Sequence, residues 1–382
     1  MRFSRSFLAL SISGLLAILS STMSKSPTLP LFAQSLGLNE GEIGIVAAAS
    51  TLTGIVVNFA AGALSDVYGR RKLLITSGFF FASAPFFYLF VTNAWQLALV
   101  RVYHGVATAA FTPVAIALIA DMYESKRGEM MGLFSSATIA GRLVAPITAG
   151  AILSLAGFKE AYLVCGVVGA AAFISMFNLR SFRSEKKKSS SSRGIREVFR
   201  VLVNGEIAAA SAVMAVTYFA MQSLETFLPI YMEDLGVEAW LIGAVFTIQL
   251  FVIMILKPYA GKLSDVIGRV KTIVLGLTIS SMGMIGAAFL RSYEGLVLSM
   301  IIFAAGVSFT TASAPPLVSE LVSEERYGAA IGAMETIKDV GQALGPIFTG
   351  LILLHLTFES ALMVMSGMLI LVLPLIYLKL KG

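Results

Sequence analysis

The chain has 382 residues, of which 57% are hydrophobic and 13% charged, with a formal net charge of +6. An ordinary soluble domain carries about 25% charged residues, so a mean hydropathy of +0.86 excludes that class and implies a protein embedded in a bilayer. The basic residues are scattered in loops along the chain, which gives no footprint for a nucleic-acid partner.

Twelve apolar runs are expected to span the membrane, near 7–32, 42–64, 73–92, 96–120, 130–156, 161–179, 207–232, 239–261, 272–291, 294–321, 328–354 and 360–378. A bilayer core about 30 Å thick takes about 20 apolar residues per helix. The alternating short strands of an outer-membrane barrel are missing, so the spans are read as helices, which satisfy their own backbone in lipid. The first run follows Arg2 and Arg5, as a signal peptide would. It is longer than the usual apolar core of such a peptide and no small-residue cleavage site closes it, so it is read as a mature helix. The single cysteine, Cys165, falls within a span and excludes an intramolecular disulfide.

Of the 28 Lys and Arg residues, 21 fall in the segments on the side that holds both termini. The opposite loops hold only Lys159 and Arg291, and the other five lie within spans: Lys25, Arg101, Arg142, Lys257 and Lys338. Basic residues stay on the cytoplasmic side, so both termini are expected there, in a multi-pass protein of the cell membrane. The longest polar segment, RSFRSEKKKSSSSRGIREVFR at 180–200, reads as a solvated linker between two halves. The expected division is 1–180, a linker at 181–206, and 207–382.

The two halves repeat one another. GALSDVYGR at Gly62–Arg70 returns as GKLSDVIGR at Gly261–Arg269, and Pro30 and Asp121 return as Pro229 and Glu320. GRLVAPITAG at Gly141–Gly150 returns as GQALGPIFTG at Gly341–Gly350. Six helices duplicated into twelve keep the same orientation, which implies two six-helix bundles related by an axis along the membrane normal. With these residues in view, the chain resembles the major facilitator superfamily, whose signature is a glycine, three residues, Asp, two residues, Gly and Arg after the second and eighth helices. The resemblance covers all twelve spans, both signature loops and the linker. It implies an all-α membrane protein with that family's fold, working by alternating access.

Within the resemblance, Gly62, Asp66, Gly69 and Arg70, together with Gly261, Asp265, Gly268 and Arg269, correspond to a conformational latch. Gly62 allows close helix approach, Gly69 permits the turn, and Arg70 is expected to pair with Asp121 as Arg269 does with Glu320. Val67 and Val266 stand where the family commonly has a basic residue, and Val270 replaces the second arginine of the second copy. In the fifth helix Gly141, Pro146 and Gly150 resemble the antiporter motif, with Ala145 and Ala149 in place of two glycines. Gly341, Gly345, Pro346 and Gly350 follow the pattern in the eleventh helix. Small residues permit close packing and proline permits a bend; plain transmembrane packing accounts for them equally. Pro27 and Pro30 resemble the paired prolines of the twelve-helix drug exporters.

Ionisable side chains at membrane depth are costly and mark candidate sites. Glu225 shares a face of the seventh helix with Tyr218, Gln222 and Pro229, a face too polar for lipid, and is read as a substrate-cavity residue. In the eleventh helix Glu335, Lys338, Asp339 and Gln342 form one stripe. Asp339 lies about 16 Å into that helix at 1.5 Å per residue, the deepest acid in the chain. It is therefore the first proton-coupling candidate, with Glu335 as the alternative, and Arg142, Lys338 and Gln342 join the cavity candidates. Either acid also fits a plain structural ion pair with Lys338. RVYHG at 101–105 resembles the family's membrane-embedded arginine motif, with His104 where glutamine is usual. Arg101 and His104 are further coupling candidates, since an imidazole titrates near neutral pH; a packing role for His104 fits the sequence as well.

No HExxH, Ser/Lys or paired-Cys arrangement and no P-loop lysine occurs, so neither an enzyme nor a resident metal or cofactor is expected. The resemblance favours proton-coupled efflux of small organic or drug-like compounds by a monomer. Import of a small organic anion stays open, since Arg101, Arg142 and Lys338 suit a carboxylate.

Overall fold

A computed structural model describes residues 4–123, 125–179, 205–323 and 326–380. Among them the regular structure is all helical. Twelve long helices run in order: α1 (Arg5–Met23), α2 (Glu40–Tyr68), α3 (Arg70–Phe87), α4 (Ala94–Met122), α5 (Arg127–Ala156), α6 (Phe158–Met176), α7 (Gly205–Asp234), α8 (Ala239–Ile267), α9 (Arg269–Phe289), α10 (Tyr293–Glu320), α11 (Tyr327–Leu353) and α12 (Phe358–Leu380). Ten of the spans are long and apolar enough to cross a bilayer, and α12 contributes a shorter apolar stretch, Phe358–Pro374. The exception is α11, whose mean hydropathy is lowered by Glu335, Lys338, Asp339 and Gln342.

The helix starts follow local chemistry. The Ser4 side chain accepts from the Phe7 amide at the start of α1, and Asn39 and Glu42 close a reciprocal capping box on α2. The Asn93 and Ser292 side chains accept from the Gln96 and Gly295 amides at the starts of α4 and α10. The expected first span, 7–32, is not one continuous helix. After α1 the chain turns through 24–27, and a short helix, Thr28–Ser35, resumes the path. Pro27 has no amide hydrogen to continue the ladder, and the Thr28 hydroxyl donates to the freed Met23 carbonyl at 2.6 Å.

Two compact units result: Met1–Ser189 with Glu238–Thr247, and Ser190–Val237 with Ile248–Gly382. The expected linker lies outside the described residues except for Gly205 and Glu206, which open α7. The expected boundary is also displaced in one place, because the start of α8 belongs with the first unit. There Gly150 faces the Ala239 carbonyl, Gly243 faces the Pro146 carbonyl, and the Trp240 amide donates to Ser154 Oγ at 3.0 Å.

Inside the first unit α1 packs on α5 and α6, α3 packs on α4 and α6, and α2 packs on α4. Inside the second, α7 packs on α11 and α12, and α9 packs on α10 and α12. The α1/α5 and α7/α11 seams are built alike. A Cβ on Gly141 would run into the Leu15 carbonyl, and one on Gly341 into the Ala215 carbonyl, so glycine sets the helix separation. Hydroxyls stitch the same interiors: Ser20 donates to the Cys165 carbonyl at 2.7 Å, and Thr349 donates to Ser223 at 2.9 Å.

Candidate functional site

The α2–α3 and α8–α9 junctions have one design. Each pair of helices meets across a single glycine, Gly69 at φ 92° and Gly268 at φ 97°, a backbone region that residues with a Cβ rarely adopt. The sharp turn brings the first residue of the next helix back over the end of the previous one. Arg70 pairs with Asp66 at 2.6 Å and through Nε with Asp121 at 3.1 Å. Arg269 pairs with Asp265 at 2.5 Å and through Nε with Glu320 at 3.0 Å. Each arginine also donates to a buried serine of its own motif, Arg70 to Ser65 and Arg269 to Ser264. Those serines stand in both copies of the repeat, and sequence reasoning passed over them because a serine in a helix has no distinctive spacing. Val270 in place of a second arginine leaves the second junction's pairs intact, whereas Arg71 in the first donates to the Leu179 and Phe177 carbonyls at the end of α6. Gly62 and Gly261 lie on α2 and α8. The surroundings of Gly62 lie outside the described residues, and Gly261 faces open space.

In the second unit α7 and α11 bring most of the cavity candidates together. The Lys338 ammonium bonds the Glu335 carboxylate and also reaches Asp339 Oδ1 at 3.2 Å. One lysine thus serves both acids, instead of pairing one and leaving the other alone. The same ammonium lies 5.1 Å from the centroid of the Tyr218 ring, which adds a cation–π contact from α7. One turn on, Gln342 Nε2 donates to Gln222 Oε1 at 3.1 Å. Lys257 of α8 is near enough to interact with Glu335 and Lys338. Two carboxylates and two lysines therefore lie within electrostatic reach of one another, with an aromatic face and an amide pair beside them. Glu225 is half-buried farther along α7, and Arg142 is exposed on α5 in the first unit. Gly345, Pro346 and Gly350 are buried on α11, where Gly345 faces the Phe219 carbonyl.

Arg101 and His104 lie elsewhere, in the interior of the first unit, 3% and 1% exposed. Arg101 donates to Ser50 Oγ of α2 and through Nη1 to the Tyr88 hydroxyl at 3.4 Å. The Tyr88 hydroxyl lies 3.4 Å from His104 Nδ1, and the Tyr88 ring stacks on Tyr162 with centroids 4.4 Å apart. Ser50, Tyr88 and Tyr162 had no signal in the sequence, because they come from three helices and share no spacing. Among the described residues no group of three or more His, Cys, Asp and Glu is placed to hold a metal ion.

The two ion-paired junctions are formed by the repeated motifs that carry the family resemblance. The family model for the major facilitator superfamily matches residues 10–246 and again 210–381. The chain belongs to the major facilitator superfamily. An uncharacterised MFS-type transporter of Methanocaldococcus jannaschii is 26% identical over 85% of both chains. The multidrug resistance protein MdtG of Proteus mirabilis is 25% identical, over 87% of this chain and 86% of that one. A multi-drug resistance efflux pump, the PmrA homologue of Lactococcus lactis, is 22% identical over 88% and 85%. Among solved structures, the nucleoside transporter NupG superposes with a TM-score of 0.82 at 15% identity, over 98% of this chain and 99% of that one. A bacterial homologue of the lysosomal transporter Spinster gives 0.82 at 17%, over 98% and 96%. These superpositions are evidence of the shared fold. As a major facilitator protein, the chain is a multi-pass membrane protein of a transporter family.

Proposed function

We propose that this major facilitator protein exports small organic or drug-like compounds across the cell membrane in exchange for protons, by alternating access, with both termini in the cytoplasm. The observation that carries the reading is the α11 stripe. Glu335 and Asp339 share one ammonium, so a proton taken by either acid frees Lys338 to redistribute toward the other. A site whose charge pairing changes with one proton is what coupling requires. Asp339, the deeper and less exposed acid, is the proposed carrier and Glu335 the alternative, with Tyr218, Gln222, Gln342 and Glu225 facing the substrate. The repeated junctions at Asp66–Arg70–Asp121 and Asp265–Arg269–Glu320 serve as latches on the cytoplasmic side, holding helix ends through ion pairs that can break and re-form. The names of two relatives, a multidrug resistance protein of Proteus mirabilis and a multi-drug resistance efflux pump of Lactococcus lactis, support export.

The test is transport by the purified protein in proteoliposomes with an imposed pH gradient, scored for accumulation of a fluorescent cationic dye. Reversing the gradient must reverse the direction of net dye movement. Dye movement indifferent to the gradient overturns proton coupling. A second reading, uptake of a small metabolite, is favoured by the Gln222–Gln342 amide pair, which suits a neutral polar solute, and by the fold shared with a nucleoside transporter. Gradient-driven accumulation of a radiolabelled nucleoside, with none of dye, would decide for it.

A further inference from the structure

The cluster around Arg101 has a property the proposed transport site does not use. Arg101 as a residue is 3% exposed, inside the first unit, and the partners of its guanidinium are two hydroxyls, Ser50 and Tyr88, with no carboxylate among the described residues paired to it. Arginine keeps its charge at any working pH, and a buried charge without a counter-charge is strongly unfavourable. Three further atoms in the cluster are buried and lack a hydrogen-bond partner: Arg101 Nε, His104 Nε2 and the Tyr162 hydroxyl. Buried polar atoms are nearly always satisfied, so three in one cluster call for a ligand.

The hydrogen-bond order points to the chemistry of that ligand. Arg101 Nη1 can only donate, so the Tyr88 oxygen accepts from it; the arrangement that also gives the buried Tyr88 hydroxyl hydrogen an acceptor directs it to His104 Nδ1, both contacts being 3.4 Å. With Nδ1 accepting, the neutral imidazole carries its proton on Nε2. The three unsatisfied groups are then Nε–H of Arg101, Nε2–H of His104 and O–H of Tyr162, all of them donors. Tyr162 is held by its stack on Tyr88 and lies within electrostatic reach of Arg101. A water molecule would accept from at most two of these and would need acceptors for its own two hydrogens. An anion accepts from donors of this kind and supplies the missing counter-charge.

We propose that this cluster is a buried site for a small monovalent anion, of the halide class, held by Arg101, His104 and Tyr162. The site is separate from the α11 stripe and independent of what the protein transports. Burial of every contributor restricts the occupant to a small ion, since Arg101, His104 and Tyr162 are each at most 3% exposed or fully enclosed.

The test uses the full-length protein in detergent, exchanged into sodium gluconate and titrated with sodium bromide at constant ionic strength. The expected result is a saturable rise in the thermal unfolding midpoint with bromide, absent in Tyr162→Phe and His104→Leu. Tyr162→Phe keeps the ring stacked on Tyr88 and removes one donor, so it decides the matter even if Arg101→Met does not fold. A bromide anomalous signal among these residues in a crystal is the second expected readout. Equal midpoints in gluconate and bromide, or a bromide effect of unchanged size in Tyr162→Phe, would overturn the proposal, the first pointing to water in the cluster and the second to ions on the surface.

Discussion

Lys338 ties Glu335 and Asp339 to a single ammonium and lays that ammonium against Tyr218, so each substitution in the stripe has a distinct expected outcome. Asp339→Asn is expected to abolish dye movement driven by a pH gradient while dye binding to the purified protein persists. If gradient-driven transport survives in Asp339→Asn and also in Glu335→Gln, the stripe is not the proton path. Glu225→Gln is expected to leave the coupling ratio unchanged and to weaken binding of a cationic dye about tenfold, the size of one charge-assisted contact; equal affinity in titrations would remove Glu225 from the substrate site. The acids themselves were legible from sequence, since a charge at membrane depth stands out against an apolar run. Their shared partner was not, because i, i+3 and i, i+4 spacing leaves open which acid the lysine chooses and says nothing of Tyr218, 120 residues away on another helix. The same reason hid Tyr88 and Tyr162 beside the sequence-visible Arg101 and His104.

The junction helices and the glycine seams carry the element-scale expectations. Asp66 is 46% exposed and Asp265 is 60% exposed, and exposed pairs of this kind contribute about 0–1 kcal/mol to stability. Asp66→Asn is therefore expected to leave the melting temperature almost unchanged and to alter the balance of conformations, read as greater reactivity of cysteines placed at the cytoplasmic helix ends. Identical labelling in both proteins would remove the latch role. The seams respond in the opposite way. Gly341→Leu puts a side chain where the Ala215 backbone lies and must push α7 off α11, an overpacking cost on the order of 1–3 kcal/mol. Thermal unfolding is expected to fall by several degrees in Gly341→Leu and in Gly141→Leu, and to stay unchanged in Gly332→Leu, where nothing lies within 4 Å. Both seams were legible because the repeat places their glycines alike, while the break after α1 needed the structure to locate it, since Pro27 and Pro30 each fit either a bend or a stop.

At the scale of the whole molecule, the excess of Lys and Arg on one side predicts a cytoplasmic linker. Cys165 is buried, so the native chain offers a silent background for thiol labelling. Ser190→Cys in the linker is expected to react with a membrane-impermeant maleimide in inverted vesicles and to stay unlabelled in intact cells; labelling from outside would reverse the topology. Composition, run length and the internal repeat determined by themselves the bilayer, the twelve helices and the two halves, while the repeated Gly, Asp, Gly and Arg spacing carried the resemblance to the family. These are properties of single segments and of their order, and lipid removes every alternative to the helix for a backbone that must satisfy itself. Which side chains meet was decided only by tertiary structure. Lys338 finds Tyr218, Gln342 finds Gln222, the start of α8 joins the first unit, and Arg101 sits among hydroxyls with no acid paired to it among the described residues, because contacts between helices depend on rotation about each axis and on glycine-set separations, neither of which a linear pattern contains.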